Sequence, residues 1–293
     1  MTQKTVLITG CSSGIGLETA VACAKAGHRV FATMRNLNKK EKLEKRIEDE
    51  KLENIEILEL DVSKTEEIEN KISSIVRQVD NIDVLFNNAG YMVMGSLEDS
   101  TIQEIRDQIN TDLMGPIHLA KLAIPHMKGG EEPGLVINMS SIAGKIGFGF
   151  TTSYCTSKFG IEGFSESLRR EMNTEKMGGE DRNVRVAVIE AGIVHTDFFK
   201  NISRTELSKN SNYAKETDGM DGLIKVIQNK NNWTQPETVA KMIVDEVIPE
   251  QGKKFRYVAG TDGKYLVRAT HTYKDDQEAI DQEINYIMRQ YME

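Results

Sequence analysis

Apolar residues gather in seven short runs, at 5–9, 29–33, 55–60, 84–87, 135–139, 184–189 and 255–258. The first six are near-continuous rather than alternating, the pattern of strands covered on both faces. Between the runs, at roughly 15–26, 38–52, 65–79, 100–127, 155–173 and 236–248, the residues read as helical. Strand–helix alternation at this spacing predicts βαβ units and a parallel sheet. Right-handed crossovers make that an α/β fold: one doubly wound parallel sheet of about seven strands with helices on both faces.

Local start signals agree. Ser63-Lys64-Thr65-Glu66 and Thr234-Gln235-Pro236-Glu237 each fit a capping box, the second with proline near the first helical position. Segment 38–52 is dense in Lys and Glu and reads as a solvated helix face. No repeat, low-complexity tract or linker divides the chain, so 1–293 reads as one domain. The polar, less regular stretch at about 197–232 is the candidate substrate lid. A C-terminal helical extension is expected at about 264–293, where Ile280, Ile284, Ile287 and Tyr291 fall at helical spacing. Packing on its own domain is the plain role for that face, and a subunit contact is the alternative.

Composition narrows the partners. Of 293 residues 39% are hydrophobic and 28% charged, an ordinary globular balance. Net charge is 37 − 45 = −8 with no basic block, which argues against nucleic acid or an anionic membrane as partner. No apolar run reaches the roughly 18–20 residues of a membrane span. Met1-Thr2-Gln3-Lys4 passes directly into a strand, which leaves no room for a signal peptide, so a cytoplasmic protein is expected. Cys11, Cys23 and Cys155 are odd in number with no CxxC pair, and the five histidines lack HExxH spacing. Neither a disulfide framework nor a metal site is expected.

The first run leads into Gly10-Cys11-Ser12-Ser13-Gly14-Ile15-Gly16 ahead of a helix. Glycines allow a tight turn and a close backbone approach to a pyrophosphate, and a helix N-terminus offers unpaired N–H groups to that anion. The spacing is GxxxGxG, not GxGxxG. The same residues fit the GxSxG elbow of hydrolases, but that elbow normally follows several strands and needs an identifiable His–acid relay. A purely structural turn is the third reading.

Thr9-Gly10-x-x-x-Gly14-x-Gly16, then Asn87-Asn88-Ala89-Gly90, then Ser141, then Tyr154-x-x-x-Lys158, in this order and spacing, resemble the short-chain dehydrogenase/reductase superfamily. The resemblance covers roughly residues 4–200 and extends more weakly through 236–260. It implies a Rossmann-like fold, with Gly10, Ser12, Ser13, Gly14, Ile15 and Gly16 around the cofactor pyrophosphate and Asn88 bordering the cofactor. Tyr154 and Lys158 are four apart and share one helix face. A phenol with an ordinary pKa of about 10 is a poor acid or base at neutral pH, and a nearby ammonium is expected to lower that value. The resemblance makes Tyr154 the general acid/base, Lys158 its tuner and a holder of the nicotinamide ribose, and Ser141 the binder of the substrate oxygen. Ser140 is the neighbour that competes with Ser141, and spacing favours Ser141.

Two positions depart from the family pattern. Asp112 stands three residues before Gly115, where the family usually has a relay asparagine; Asn110 lies two residues earlier and is expected to face elsewhere. Asp112 is the expected relay member. Ala191-Gly192 replaces the family's Pro-Gly, and the missing proline is expected to loosen that loop a little. Ile193-Val194-His195-Thr196 keeps the rest of the pattern, so Val194 and Thr196 are expected at the nicotinamide amide.

No acid ends the second strand, where Phe31-Ala32-Thr33-Met34-Arg35 places Met34 and Arg35. An acid there accepts from a 2′-OH, whereas a guanidinium pairs with a 2′-phosphate. NADP(H) is the expected cofactor, with Arg35 at its phosphate, and the resemblance implies that Asp61 contacts the adenine. By the positions the resemblance implies, residues 91–94, 148–150, Phe198 and Phe199 border the substrate, and their apolar character suggests a small-molecule carbonyl or alcohol with a hydrophobic body. The motifs look most like the hydroxysteroid-dehydrogenase-related branch, whose substrates vary. Relatives form dimers or tetramers through helices near 100–127 and 155–173, so a homodimer or homotetramer is expected. The expected activity is NADP(H)-dependent hydride transfer between nicotinamide and a carbonyl or secondary alcohol. The alternatives are an NAD(H)-dependent alcohol dehydrogenase, a non-catalytic nucleotide-sensing or scaffold protein on the same fold, and a sugar-nucleotide epimerase, whose GxxGxxG is absent.

Overall fold

The central strands bury side chains on both faces, and this is why their sequences run apolar without alternation. In β1 (Thr5–Ile8), Val6 and Ile8 enter one hydrophobic layer and Leu7 the other. The computed structural model describes residues 2–127, 132–173, 183–205, 211–229, 233–273 and 276–292. Its elements follow in order: α1 (Gly14–Lys25), β2 (Arg29–Met34), α2 (Glu41–Glu50), β3 (Ile55–Glu59), α3 (Thr65–Val76), β4 (Val84–Asn87) and the short β5 (Val93–Met94). Then come α4 (Ile102–Ile109), α5 (Gly115–Ala123), β6 (Gly134–Ser141), α6 (Thr152–Met172), β7 (Val184–Ala191) and the short β8 (Ser203–Arg204). The chain continues through α7 (Ala214–Asn229), α8 (Pro236–Met242), β9 (Arg256–Ala259), α9 (Thr261–Thr272) and α10 (Gln277–Met292).

Seven strands form one parallel sheet in the order β3-β2-β1-β4-β6-β7-β9. The register sets Val6 beside both Val30 and Val84, Leu85 beside Val136, and Ile189 beside Tyr257. Strand order reverses between β1 and β4. A doubly wound sheet opens a crevice at the carboxyl ends of its strands at such a point. One face is covered by α1 and α8 through Leu17, Val21 and Val239. The other is covered by α3, α5 and α6 through Ile68, Ile72, Leu119 and Leu168.

Several local expectations are corrected. Neither predicted capping box forms: Lys64 and Gln235 occupy the N-caps of α3 and α8 with no side-chain cap bond. Ser63 is taken by Asp61, whose carboxylate accepts its amide at 3.0 Å and its hydroxyl at 2.7 Å. The capping box occurs instead at α4, between Thr101 and Glu104. The predicted helix at 100–127 is broken by a π-helical turn at Asn110–Met114. The polar stretch 197–232 is more regular than expected, since it holds β8 and the sixteen-residue α7; residues 206–210 and 230–232 lie outside the described residues. In α10, Ile280 is buried and Ile284 packs on the cluster of Ile142, Ile146 and Leu266. The side chains of Ile287 and Tyr291 lie outside what is described.

Candidate active site

The loop after β1 is locked by its glycines. Gly10 and Gly14 have φ of +75° and +60°, a region that disfavours other residues. A Cβ at Gly16 collides with the Gly10 carbonyl oxygen and the Asn88 amide. Asn88, just past β4, donates from Nδ2 to the carbonyls of Thr9 at 2.8 Å and Gly10 at 3.2 Å. Ser13 is the N-cap of α1, and its side chain makes no capping hydrogen bond. The first amides of α1 therefore face the crevice without a side-chain partner, the arrangement that receives a phosphate.

A cleft of about 910 Å³ runs from this loop to the ends of β6 and β7, and Ser12, Ser13 and Ile15 line its near end. Arg35 and Lys39 project beside it past the end of β2, both exposed, and neither forms an ion pair among the described residues. Lys39 was not singled out in the sequence, because it sits in a charge run. Asp61 lines the same end while its carboxylate also holds Ser63. The glycine cradle, uncapped helix and two cations fit a dinucleotide.

At the far end, Ser141 closes β6, and its Oγ accepts from the Ala143 amide at 3.2 Å. Tyr154 and Lys158 lie on α6, both buried, with the Lys158 ammonium 5.5 Å from the Tyr154 ring centre. Lys158 Nζ donates to the Met139 carbonyl at 3.2 Å and lies 3.2 Å from Asp112 Oδ2. The π-helical turn carries Asp112 inward to 1% exposure while Asn110 stays exposed. Asp112 Oδ1 accepts from the Tyr91 amide at 3.2 Å.

Burial pushes the Asp112 carboxyl up from its ordinary value, against the pull of Lys158 and the Tyr91 amide. Burial opposes the charge of Lys158, but Asp112 and then Tyr154 hold its pKa above the usual lysine value. The Tyr154 phenol is raised, not lowered. Burial is the larger cause; the attraction of Lys158 and a hydrogen bond with Ser141 pull the other way, and Asp112 adds to the rise. Lys158 does pull the phenol down, as the four-residue spacing implies, but burial outweighs that pull and Asp112 adds to the rise.

The loop after β7 reaches back over the glycines. A Cβ on Gly14 comes within 3.0 Å of Thr196, and Val194 bridges to Thr234. Two hydrogen bonds hold the start of this loop, where Ala191 stands in place of the family's proline. Gly192 N donates to the Ala259 carbonyl at 2.8 Å, and Ile193 N donates to Asp262 Oδ2 at 2.6 Å. Asp262, from the first turn of α9, ties this loop to the C-terminal part of the chain.

Residues 4–207 match the family described as short chain dehydrogenase. The chain belongs to the short-chain dehydrogenase family. It is 29% identical over 262 residues to a 3-ketodihydrosphingosine reductase of Bacteroides thetaiotaomicron, covering 89% of each chain. It is 37% identical over 198 residues to human retinol dehydrogenase 8, covering 67% of this chain and 60% of that one. A short-chain dehydrogenase structure from Streptomyces avermitilis superposes with a TM-score of 0.77 at 26% identity over 98% of both chains. A Burkholderia phymatum member in complex with NAD shares the fold, with a TM-score of 0.79 at 19% identity, over 94% of this chain and 95% of that one. The family is one of oxidoreductases that use nicotinamide cofactors.

The end of the cleft around Tyr154 is strongly apolar. Met92 and Ala143 cluster with Tyr154, and Phe148 and Phe198 pack against them. Leu266 and Ile284, from α9 and α10, line the cleft as well. Gln108 was missed in the sequence: fully buried, it accepts from Val93 N at 2.7 Å and donates to the Tyr91 carbonyl at 2.9 Å. It thereby fixes the 91–94 segment. Asp262 was missed too. Nothing in local periodicity marks either one, because their partners are set by tertiary contact. No helix among the described residues is long and apolar enough to cross a membrane, and no cluster of metal-binding side chains occurs among them.

Proposed function

We propose that the chain is an NADP(H)-dependent oxidoreductase acting between a carbonyl and a secondary alcohol on a hydrophobic body. The observation that carries this is one cleft holding Ser141, Tyr154 and Lys158 at one end and an uncapped glycine-loop helix with Arg35 at the other. The bound nicotinamide supplies or accepts hydride at C4. The chain's own residues do the rest. Ser141 orients and polarises the substrate oxygen, and Tyr154 passes a proton to that oxygen or removes one from it. Lys158 holds ribose hydroxyls and counters charge on the phenol, while Asp112 is the relay member behind Lys158. Val194 and Thr196 hold the carboxamide, Asn88 borders the cofactor, and Asp61 meets the adenine.

The apolar walls support a substrate without charge near the reacting carbon. Two relatives named for a ketodihydrosphingosine and for retinol support the same class. Within a single domain, 197–232 serves as the lid. A homodimer or homotetramer through the helices around 100–127 and 155–173 is supported by exposed Ile102, Met114 and Phe159.

Turnover of a panel of ketones, aldehydes and alcohols, followed by NADPH absorbance, tests the reading. Tyr154→Phe should lose about 10²- to 10⁴-fold in kcat while cofactor binding persists. Tight NADPH binding with no turnover across the panel would favour the nucleotide-sensing alternative.

A further inference from the structure

Beneath the catalytic end lies a second group of charges, built on two buried carboxylates. Lys145 directly follows the short helical turn Ile142–Gly144, whose N-cap is Ser141. Its Nζ lies 2.8 Å from Glu162 Oε2 and 3.2 Å from Glu190 Oε1. Arg256 Nε reaches the same two oxygens at 3.1 and 3.2 Å, and Arg256 Nη2 reaches Glu166 at 2.9 Å. The Glu162 and Glu190 side chains are only 7% and 1% exposed. Four elements meet here: the Ser141 loop, α6, β7 and the edge strand β9.

The placement relative to the active residues is specific. Glu162 stands one helical turn beyond Lys158 and two beyond Tyr154 on α6. Glu190 pairs with Ser140 across β6 and β7. Between Ser141 and Lys145, Gly144 lies so close to α6 that a Cβ meets the Lys158 carbonyl at 2.9 Å and Glu162 Cγ at 3.1 Å. The serine loop thus touches the tyrosine helix at Gly144 and is tied to it by charge at the next residue.

Buried ion pairs contribute little net stability, since desolvation offsets much of the attraction, and apolar replacements often do as well. Two buried carboxylates sharing two cations are worse placed still, and burial and Glu162 both push the Glu190 carboxyl up. Stability does not account for such a network, but fixed geometry does. Resting on the roles proposed above for Ser141 and Tyr154, we propose that Lys145 and Glu162 are positioning residues. Their ion pair holds the Ser141 loop against α6 and so sets the Ser141–Tyr154 separation at the substrate oxygen.

Three full-length variants separate tether from charge balance. Lys145→Met removes both; Lys145→Met with Glu190→Gln restores the balance but not the tether; Lys145→Arg keeps both. The double variant should regain thermal stability lost in Lys145→Met, yet stay about 10- to 100-fold below wild type in kcat, the scale of a small misplacement. Its NADPH Kd should not change, and Lys145→Arg should retain most of the activity. Hydrogen exchange gives a readout independent of turnover. The amides of Lys145 and Ile146, both bonded to the Ile142 carbonyl, should exchange faster in the double variant. Recovery of kcat together with stability in the double variant, or unchanged exchange at these amides, overturns the proposal. A wild-type chain that turns over no substrate sinks the functional reading instead, and the exchange measurement still decides the tether.

Discussion

Lys158 Nζ sits 3.2 Å from Asp112 Oδ2, with both side chains closed to solvent. The cation that Tyr154 needs is therefore shared with a carboxylate. Asp112→Asn removes that carboxylate and leaves the ammonium to act on Tyr154 alone. Because Asp112 raises the phenol, its loss should lower the pKa of Tyr154. Alcohol oxidation needs the phenolate and rises with pH through that pKa, so its rising limb should move to lower pH in Asp112→Asn. The pH profile of kcat/KM for oxidation measures this. A limb that stays in place with turnover unchanged removes Asp112 from the relay.

Asp262 offers a second test, through Ile193. Asp262→Ala leaves the Ile193 amide without its partner, at a cost of about 1–3 kcal/mol. The Tm should fall, and the KM for NADPH should rise more than kcat falls. Trp233, the chain's single tryptophan, precedes the Thr234 bridge to Val194, so its fluorescence should report the loosened loop. The sign of the pH effect follows from burial, which pushes the Asp262 carboxyl up. Its contribution to stability is full below the unfolded pKa and is lost as pH rises through the folded one. Asp262→Asn keeps an acceptor and should abolish that loss, so Tm against pH should be flatter than in wild type over the acid range.

Arg35 decides between the nicotinamides. A charge-assisted hydrogen bond is worth about 1.5–3 kcal/mol. Arg35→Ala should therefore weaken kcat/KM for NADPH by roughly 10- to 150-fold and leave NADH constants unchanged. Lys39 projects at the same end of the cleft, so Arg35→Ala with Lys39→Ala should lose more than either alone. Equal effects on both cofactors would remove the 2′-phosphate from this end of the cleft.

What was legible follows from how local each signal is. The both-face apolar runs of β1, β2, β4, β6 and β7 record burial between two layers. Tyr154 and Lys158 record one helix face. The π-helical turn at Asn110–Met114 was not legible, since it depends on how α4 and α5 pack, and yet it carries Asp112 inward. The capping prediction at Ser63 failed because α3 starts one residue later, with Lys64 at its N-cap, while Asp61 takes the Ser63 amide and hydroxyl. Asp262 and Arg256 escaped notice for a different reason. Their partners Ile193 and Glu162 lie 69 and 94 residues away in sequence, where no periodicity reaches.

The C-terminal helices set the last prediction. Leu266 of α9 and Ile284 of α10 form part of the cleft wall and pack together with Ile142 and Phe148. A long apolar substrate must lie along them, whereas a short ketone need only meet Ser141 and Tyr154. Leu266→Phe should shorten the cavity and Leu266→Ala should lengthen it. One methylene of fit is worth about 1–3 kcal/mol in such a pocket, or roughly 10- to 200-fold in kcat/KM. A homologous series of methyl ketones reads this directly: the optimum chain length should fall in Leu266→Phe and rise in Leu266→Ala, with constants for the shortest member unchanged. An optimum that stays fixed in both variants would mean that the substrate leaves the cleft on the side of Met92 and Met94, away from α9 and α10.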